Sequence, residues 1–515
     1  MAEKPTHSMK FKWENYHLLV CCAVLVVVVA ILLFAVDLRY GFPHFDTYQY
    51  SASVGPQAQG MRPKLLWVEA IPEFENGAEL TLPGLYWVKL AVFSLIPYGL
   101  LADQALSFTF LVLASALGLI SLRQAGWGNL VSFLMFSLML TAPTFLVNVT
   151  GTRPEPLAVL LCMTGIMLIR NLGSNYWGAA GGLVLGFAGS VHVYAALLGP
   201  IMAFAAWLSV RKIEERVDWR KLASITLGLA IGWLMVAIFW WSHLDAWHLF
   251  RINLAVQRGF HHNPGRFIAY LESFRLASGW WVAGLLTILP LGSWIHWFRS
   301  GCLYKTSVFP LAVSCCCFVI PSTFWILKTE QYFYGDLIWP ALIAALLLVG
   351  REGVRIRKLV VLLLLLSVSG GLVRLVARAR LGVHLFASKP VREQRLDWLK
   401  ERVSNAPRLY IFTTEWDIAS EIGVSDVRFY AFPLPMTTDV VRQFGMRTMS
   451  NTPDGTMMLF ERDYAANCPY ANPGAFDPSG SSEWEMLETR TWHYDLSASK
   501  PPARIWELWR KRARS

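Results

Sequence analysis

GLYWVKLAVFSLIPYG, residues 84–99, is the stretch whose reading decides the fold of this chain. It is apolar enough to suggest a membrane span, yet it is short, carries Lys89 and ends around Pro97. A hydrocarbon core of about 30 Å needs roughly 20 residues of helix. Counted as a span, it inverts the side of every loop that follows. Read as a helix lying at the outer interface, it leaves those loops where their charges want to be.

The rest of the chain supplies the context. Of 515 residues, 55% are hydrophobic and only 16% are charged, whereas soluble domains carry nearer a quarter. The apolar residues fall in blocks near 17–37, 104–122, 129–148, 155–171, 176–191, 193–210, 221–241, 280–298, 306–327, 332–349 and 358–378. These predict a polytopic α-helical membrane protein of about eleven spans. The first block, Tyr16 to Val36, reads as a span and not as a cleaved signal peptide, because no small-residue cleavage site follows it.

Charge fixes the orientation. Lys4, Lys10 and Lys12 precede the first block. If residues 1–16 are cytoplasmic and 84–99 do not cross, Arg123, Arg170, RKIEERVDWRK (211–221), Arg299 with Lys305, and REGVRIRK (351–358) all fall on the cytoplasmic side. That is the positive-inside pattern in every short loop. The same pattern explains the net charge of +11 without nucleic acid, since no basic stripe lies on a soluble helix.

Three outer segments remain. Residues 38–103 form a long first loop, 242–279 a second, and 379–515 a polar tail beyond the membrane module of 17–378. In the tail, 407–412, 426–432 and 455–461 read as strands, 416–423 as a helix and 472–482 as loop, which predicts a small extracytoplasmic α/β domain. The eight cysteines give neither a disulfide framework nor a CxxC or His-Cys cluster, so no structural metal is expected.

Ionisable groups at membrane depth are costly and therefore functional candidates. Asp46 stands alone among rings in FPHFDTYQY (42–50), where partial burial makes a carboxylate a better base. TGTRPEP (150–156) carries Arg153 and Glu155. Its plain structural reading is a helix start with Thr152 as N-cap, Pro154 at the first position and Glu155 beside the positive dipole end. His192 sits at the outer turn in VHVY (191–194), and Lys328 and Tyr332 open a late block in KTEQYFYGDLIWP (328–340). Arg62 and Lys64 lie in the first loop. Two outer acids with several outer cations suit a substitution site, because guanidinium and ammonium groups hold a leaving phosphate. The rival, a lipid-phosphate flippase or solute transporter, needs polar groups at mid-depth, where the span interiors are almost bare of charge.

In their order along the chain these residues resemble a C-type membrane glycosyltransferase, nearest in pattern to the lipid A aminoarabinose transferases and protein O-mannosyltransferases. The resemblance rests on Asp46 just after the first span, on TLPGLYWVKL (81–90) against a Pro-Pro-x-Leu-Tyr-Trp segment, on Arg153 and Glu155, and on Lys328, Tyr332 and Pro340. It covers roughly residues 15–350. The chain departs from the pattern by having Glu where many members have Asp, and His192 where Lys-Gly is common. The resemblance implies an inverting transfer of a sugar from a polyprenyl-phosphate donor to a hydroxyl of a glycan, lipid or protein, at the outer face of a bacterial inner or plasma membrane. It implies Asp46 as base, Glu155 as the second acid, and Arg62, Lys64, Arg153, His192, Lys328 and Tyr332 around the donor phosphate. A divalent cation is left open.

Overall fold

The computed structural model describes residues 13–35, 64–65, 83–142, 152–171, 174–210, 218–242, 280–300, 308–327, 337–351, 357–386, 389–413, 422–424, 426–429, 452–462, 477–492 and 504–513, with single positions at 144, 149 and 418. Each apolar block carries a helix. In chain order these are α1 (Trp13–Ala35), then, after the short α2 (Pro83–Phe93), α3 (Leu100–Gln124), α4 (Asn129–Thr141), α5 (Glu155–Arg170), α6 (Asn175–Phe187), α7 (Val193–Val210), α8 (Trp219–Ser242), α9 (Trp280–Ser300), α10 (Val308–Leu327), α11 (Ile338–Arg351) and α12 (Arg357–Phe386).

Among the described residues, five stretches are long and apolar enough to cross a membrane: Tyr16–Leu33, Leu101–Gln124, Trp219–Phe239, Trp281–Arg299 and Arg357–Val376. The outer helices present apolar side chains broadly to their surroundings. Val24, Val27 and Ile31 of α1 and Leu227, Leu234 and Ile238 of α8 are all more than half exposed. Faces of this breadth belong in hydrocarbon, and the chain is an integral membrane protein.

At the centre lies α11, whose residues from Ala341 to Val349 are buried on every side. A helix apolar all round belongs to the interior of a bundle. It packs against α10, α7, α3, α5 and α9. Its far end is tied down by Trp127, whose indole N–H donates to the Leu346 carbonyl at 2.7 Å. Helices α6 and α8 pack most closely. Gly182 and Gly228 let the backbones touch, for a Cβ on Gly182 would lie 2.1 Å from the Ile225 carbonyl oxygen and one on Gly228 2.0 Å from that of Ala179. Small residues four apart are how helices approach in lipid, where no hydrophobic force separates helix from solvent.

Helix α2 answers the question posed by residues 84–99. Its 11 residues extend about 16 Å at 1.5 Å each, too short to cross a core of about 30 Å. The chain then turns at 94–99 and enters α3. Lys89 differs from its sequence reading as an interfacial charge: it points inward and is fully buried. Gly84 sets this docking, because a Cβ there would meet Ser190 Oγ at 2.2 Å. On its outer side Trp87 stacks edge-on against Phe239 at the end of α8, 5.1 Å between centroids.

Beyond the bundle, α13 (Lys389–Val403) precedes strands β2 (Leu409–Phe412), β3 (Val427–Phe429), β4 (Met457–Glu461), β5 (Trp484–Trp492) and β6 (Arg504–Lys511). They form one sheet in the order β1-β3-β2-β4-β6-β5, where β1 is Lys64–Leu65 from the first long loop. The β1, β3, β2 and β4 neighbours run parallel, and β6 and β5 are antiparallel. A second hydrophobic core joins α13 to the sheet through Leu396, Trp398, Leu399 and Val403. Arg395 is buried within it, its guanidinium 5.2 Å from the Trp506 ring. The edge strand from residues 64–65 means that the tail does not complete its sheet alone. The helix read at 416–423 and residues 430–432 lie largely outside the described residues.

Candidate active site

Four segments meet where α2, the start of α3, the start of α5 and the turn before α7 come together. Lys89 Nζ lies 3.0 Å from both carboxylate oxygens of Asp103, in the first turn of α3. It also donates to the main-chain carbonyl of Thr152 at 2.9 Å. Both side chains are fully buried. Moving each ion out of water costs several kcal/mol, which only a close partner and further hydrogen bonds offset.

Thr152 carries the network onward. Its φ is +50°, the left-handed region, which for a β-branched residue costs about 1–3 kcal/mol. Two bonds hold it there: its own N–H donates to the Val149 carbonyl at 3.1 Å, and its carbonyl accepts from Lys89. The expected Thr152 N-cap is therefore corrected. Pro154 stands at the cap position with helical φ and ψ, no side chain caps the first turn, and Glu155 opens α5. An N-cap needs extended backbone and a free side-chain oxygen over the first turn. Here the strained turn aims the Thr152 carbonyl at Lys89 instead.

Glu155 turns sideways. Arg153 Nη2 donates to its Oε1 at 2.8 Å, and Arg153 Nε lies 3.2 and 3.1 Å from Oε1 and Oε2. Charge-assisted forks of this kind fix both planes as well as the distance. His192 closes the group, its Nε2 3.7 Å from Glu155 Oε1. A short 3-10 turn, Ala188–Ser190, positions it: the His192 N–H donates to the Ala188 carbonyl at 3.0 Å, and the ring leans on Tyr194 with centroids 5.3 Å apart. Glu155, Arg153 and His192 are all buried. Two cations and two carboxylates thus balance, with an imidazole beside them, buried from bulk water.

Of the sequence-predicted residues, the structure brings together Arg153, Glu155 and His192. Lys64 lies elsewhere, in β1, where it is the register partner of Arg428. Asp46, Arg62, Lys328 and Tyr332 lie outside the described residues. Sequence reasoning missed Lys89 and Asp103 as site residues. Their one signal was a Lys and an Asp in otherwise apolar surroundings, each costly to bury without the other. Among the described residues no group of three His, Cys, Asp or Glu side chains converges as a cation site.

Compared by sequence, the chain matches no described family and no curated protein. Compared by structure, it is similar to a crystal structure of ArnT from Cupriavidus metallidurans bound to undecaprenyl phosphate, at 11% identity and a TM-score of 0.42, over 94% of this chain and 97% of that one.

Proposed function

We propose that this protein is an inverting membrane glycosyltransferase. It moves a sugar from a polyprenyl-phosphate donor to a hydroxyl acceptor at the extracytoplasmic face. The observation that carries the reading is the buried group of Lys89, Asp103, Arg153, Glu155 and His192 at one end of an apolar bundle. Preplaced cations in a dry pocket stabilise charge that develops on a leaving phosphate. The positive-inside reading, with eleven spans, puts that end outside. The order of motifs from Asp46 to Pro340 gives the reaction class.

In the proposed step, Asp46 takes the proton of the acceptor hydroxyl as its oxygen attacks the anomeric carbon. The bond from that carbon to the phosphate oxygen breaks, and the lipid phosphate leaves with the electron pair. Attack opposite the leaving group inverts the centre. Arg153 and His192, with Arg62, Lys328 and Tyr332 from the outer segments, receive the phosphate. Glu155 acts as a positioning residue, since its carboxylate already holds the Arg153 fork. On this reading residues 379–515 are an extracytoplasmic domain, and its sheet takes in Lys64–Leu65 of the first outer loop as β1.

The test is Asp46→Asn, assayed for sugar transfer in membranes. Transfer is expected to vanish while protein level and unfolding temperature stay those of the wild type. Wild-type transfer by this variant would remove Asp46 as the base.

A further inference from the structure

Helix α5 has a second charged end. Arg170 closes it, fifteen residues from Glu155, about 22 Å along the axis. A cation at a helix C-terminus in a membrane protein ordinarily snorkels into water. Arg170 does not, being only 7% exposed. Its Nη1 donates to Ser209 Oγ at 3.0 Å, and Ser209 in turn donates to the Ala206 carbonyl at 2.7 Å. Its Nε finds no partner among the described residues. A guanidinium has five N–H donors, and a buried one needs most of them used.

Arg170 lines a cleft of about 550 Å³ between the ends of α3, α5 and α7 and the start of α6. Its walls are of two kinds. Gln124, Thr164, Arg170 and Asn171 supply polar groups, while Leu117, Met167, Leu168 and Val210 are apolar. Trp177 also lines it and is 45% exposed, and Trp is a residue type enriched where lipid headgroups lie. The volume lies in the range of small-ligand sites, and a polar end beside an apolar wall suits an amphiphile.

We propose that this cleft is a binding site for a net-anionic, phosphate-headed membrane lipid, with the phosphate on Arg170 and the first part of the chain along Leu117, Met167 and Leu168. Phosphate oxygens suit a guanidinium in charge and in planar geometry, and Arg170 lines the cleft. The apolar wall selects a lipid over the free anion. This site is separate from the Glu155 group, at the opposite end of the same helix.

Native mass spectrometry of the purified full chain in mild detergent tests it, with added phosphatidylglycerol, phosphatidylcholine of the same chains, or inorganic phosphate. The wild type is expected to retain one phosphatidylglycerol in preference to phosphatidylcholine, and not inorganic phosphate. Losing a charge-assisted bond of about 1.5–3 kcal/mol, Arg170→Gln is expected to cut that retention about tenfold or more. Met167→Trp keeps the cation and fills the apolar wall, so it is expected to lose the lipid too. Glu155→Gln is expected to keep it. Equal retention of phosphatidylglycerol by wild type, Arg170→Gln and Met167→Trp would overturn the site, as would inorganic phosphate binding as well as the lipid. If Arg170→Gln does not fold, Met167→Trp decides the matter alone.

Discussion

Taking an ammonium and a carboxylate out of water costs several kcal/mol per ion, and Lys89 and Asp103 offset that cost against each other. Removing one partner leaves the other as an uncompensated buried charge. Lys89→Met and Asp103→Leu are each expected to destabilise the fold by about 3–5 kcal/mol, and the double variant by clearly less than their sum. Unfolding of all four proteins in one detergent gives the coupling, and strict additivity would mean that the two do not act as a pair. Their partnership was not legible in the sequence. They lie 14 residues apart on two different helices, so no helical spacing joins them. Glu155 with Arg153 was legible because the two are neighbours in sequence. What the sequence could not give was the strained Thr152 turn, since a φ of +50° at a Thr is imposed by its surroundings and not by its own preference.

At the scale of elements, glycine spacing decides how closely α6 and α8 lie. Gly178, Gly182 and Gly186 recur every fourth residue on one helix, as do Gly228 and Gly232 on the other. That period is visible in the sequence, and only the choice of partner helix is not. Gly228→Leu must drive the backbones apart and is expected to lose about 1–3 kcal/mol or more of stability. Gly99→Ala, with nothing within 4 Å of the added carbon, is expected to unfold like the wild type. Thermal unfolding in detergent compares them, and equal midpoints would contradict the close packing. Helix positions were readable because long apolar blocks carry their own signal. The tail was less so. Sequence patterning located β2, β3 and β4 near their observed places, but β5 carries Glu485, Glu488 and Arg490 and β6 carries Arg504, Glu507 and Arg510, which broke the apolar alternation. The β1–β3 pairing joins residues more than 350 positions apart through two residues, which no local pattern reveals.

For the whole molecule, the orientation of the bundle turns on α2. Because α2 is too short to cross, a reporter fused after residue 125 is expected to read cytoplasmic. An external reading there would invert every later loop and move the Glu155 group to the other side. With a cytoplasmic reading, the proposed lipid cleft at Arg170 would lie in the cytoplasmic leaflet and the buried ion group in the outer one. One chain would then hold two phosphate-directed sites at opposite ends of α5. The central claim is the transfer of a sugar from a lipid-linked donor, and mass spectrometry of cells with and without the gene tests it most directly. The expected result is loss of one sugar from the surface glycans together with a rise in its polyprenyl-phosphate-linked form, both reversed by the wild-type gene and not by Asp46→Asn. Unchanged surface glycans and an unchanged lipid-linked pool would contradict the account.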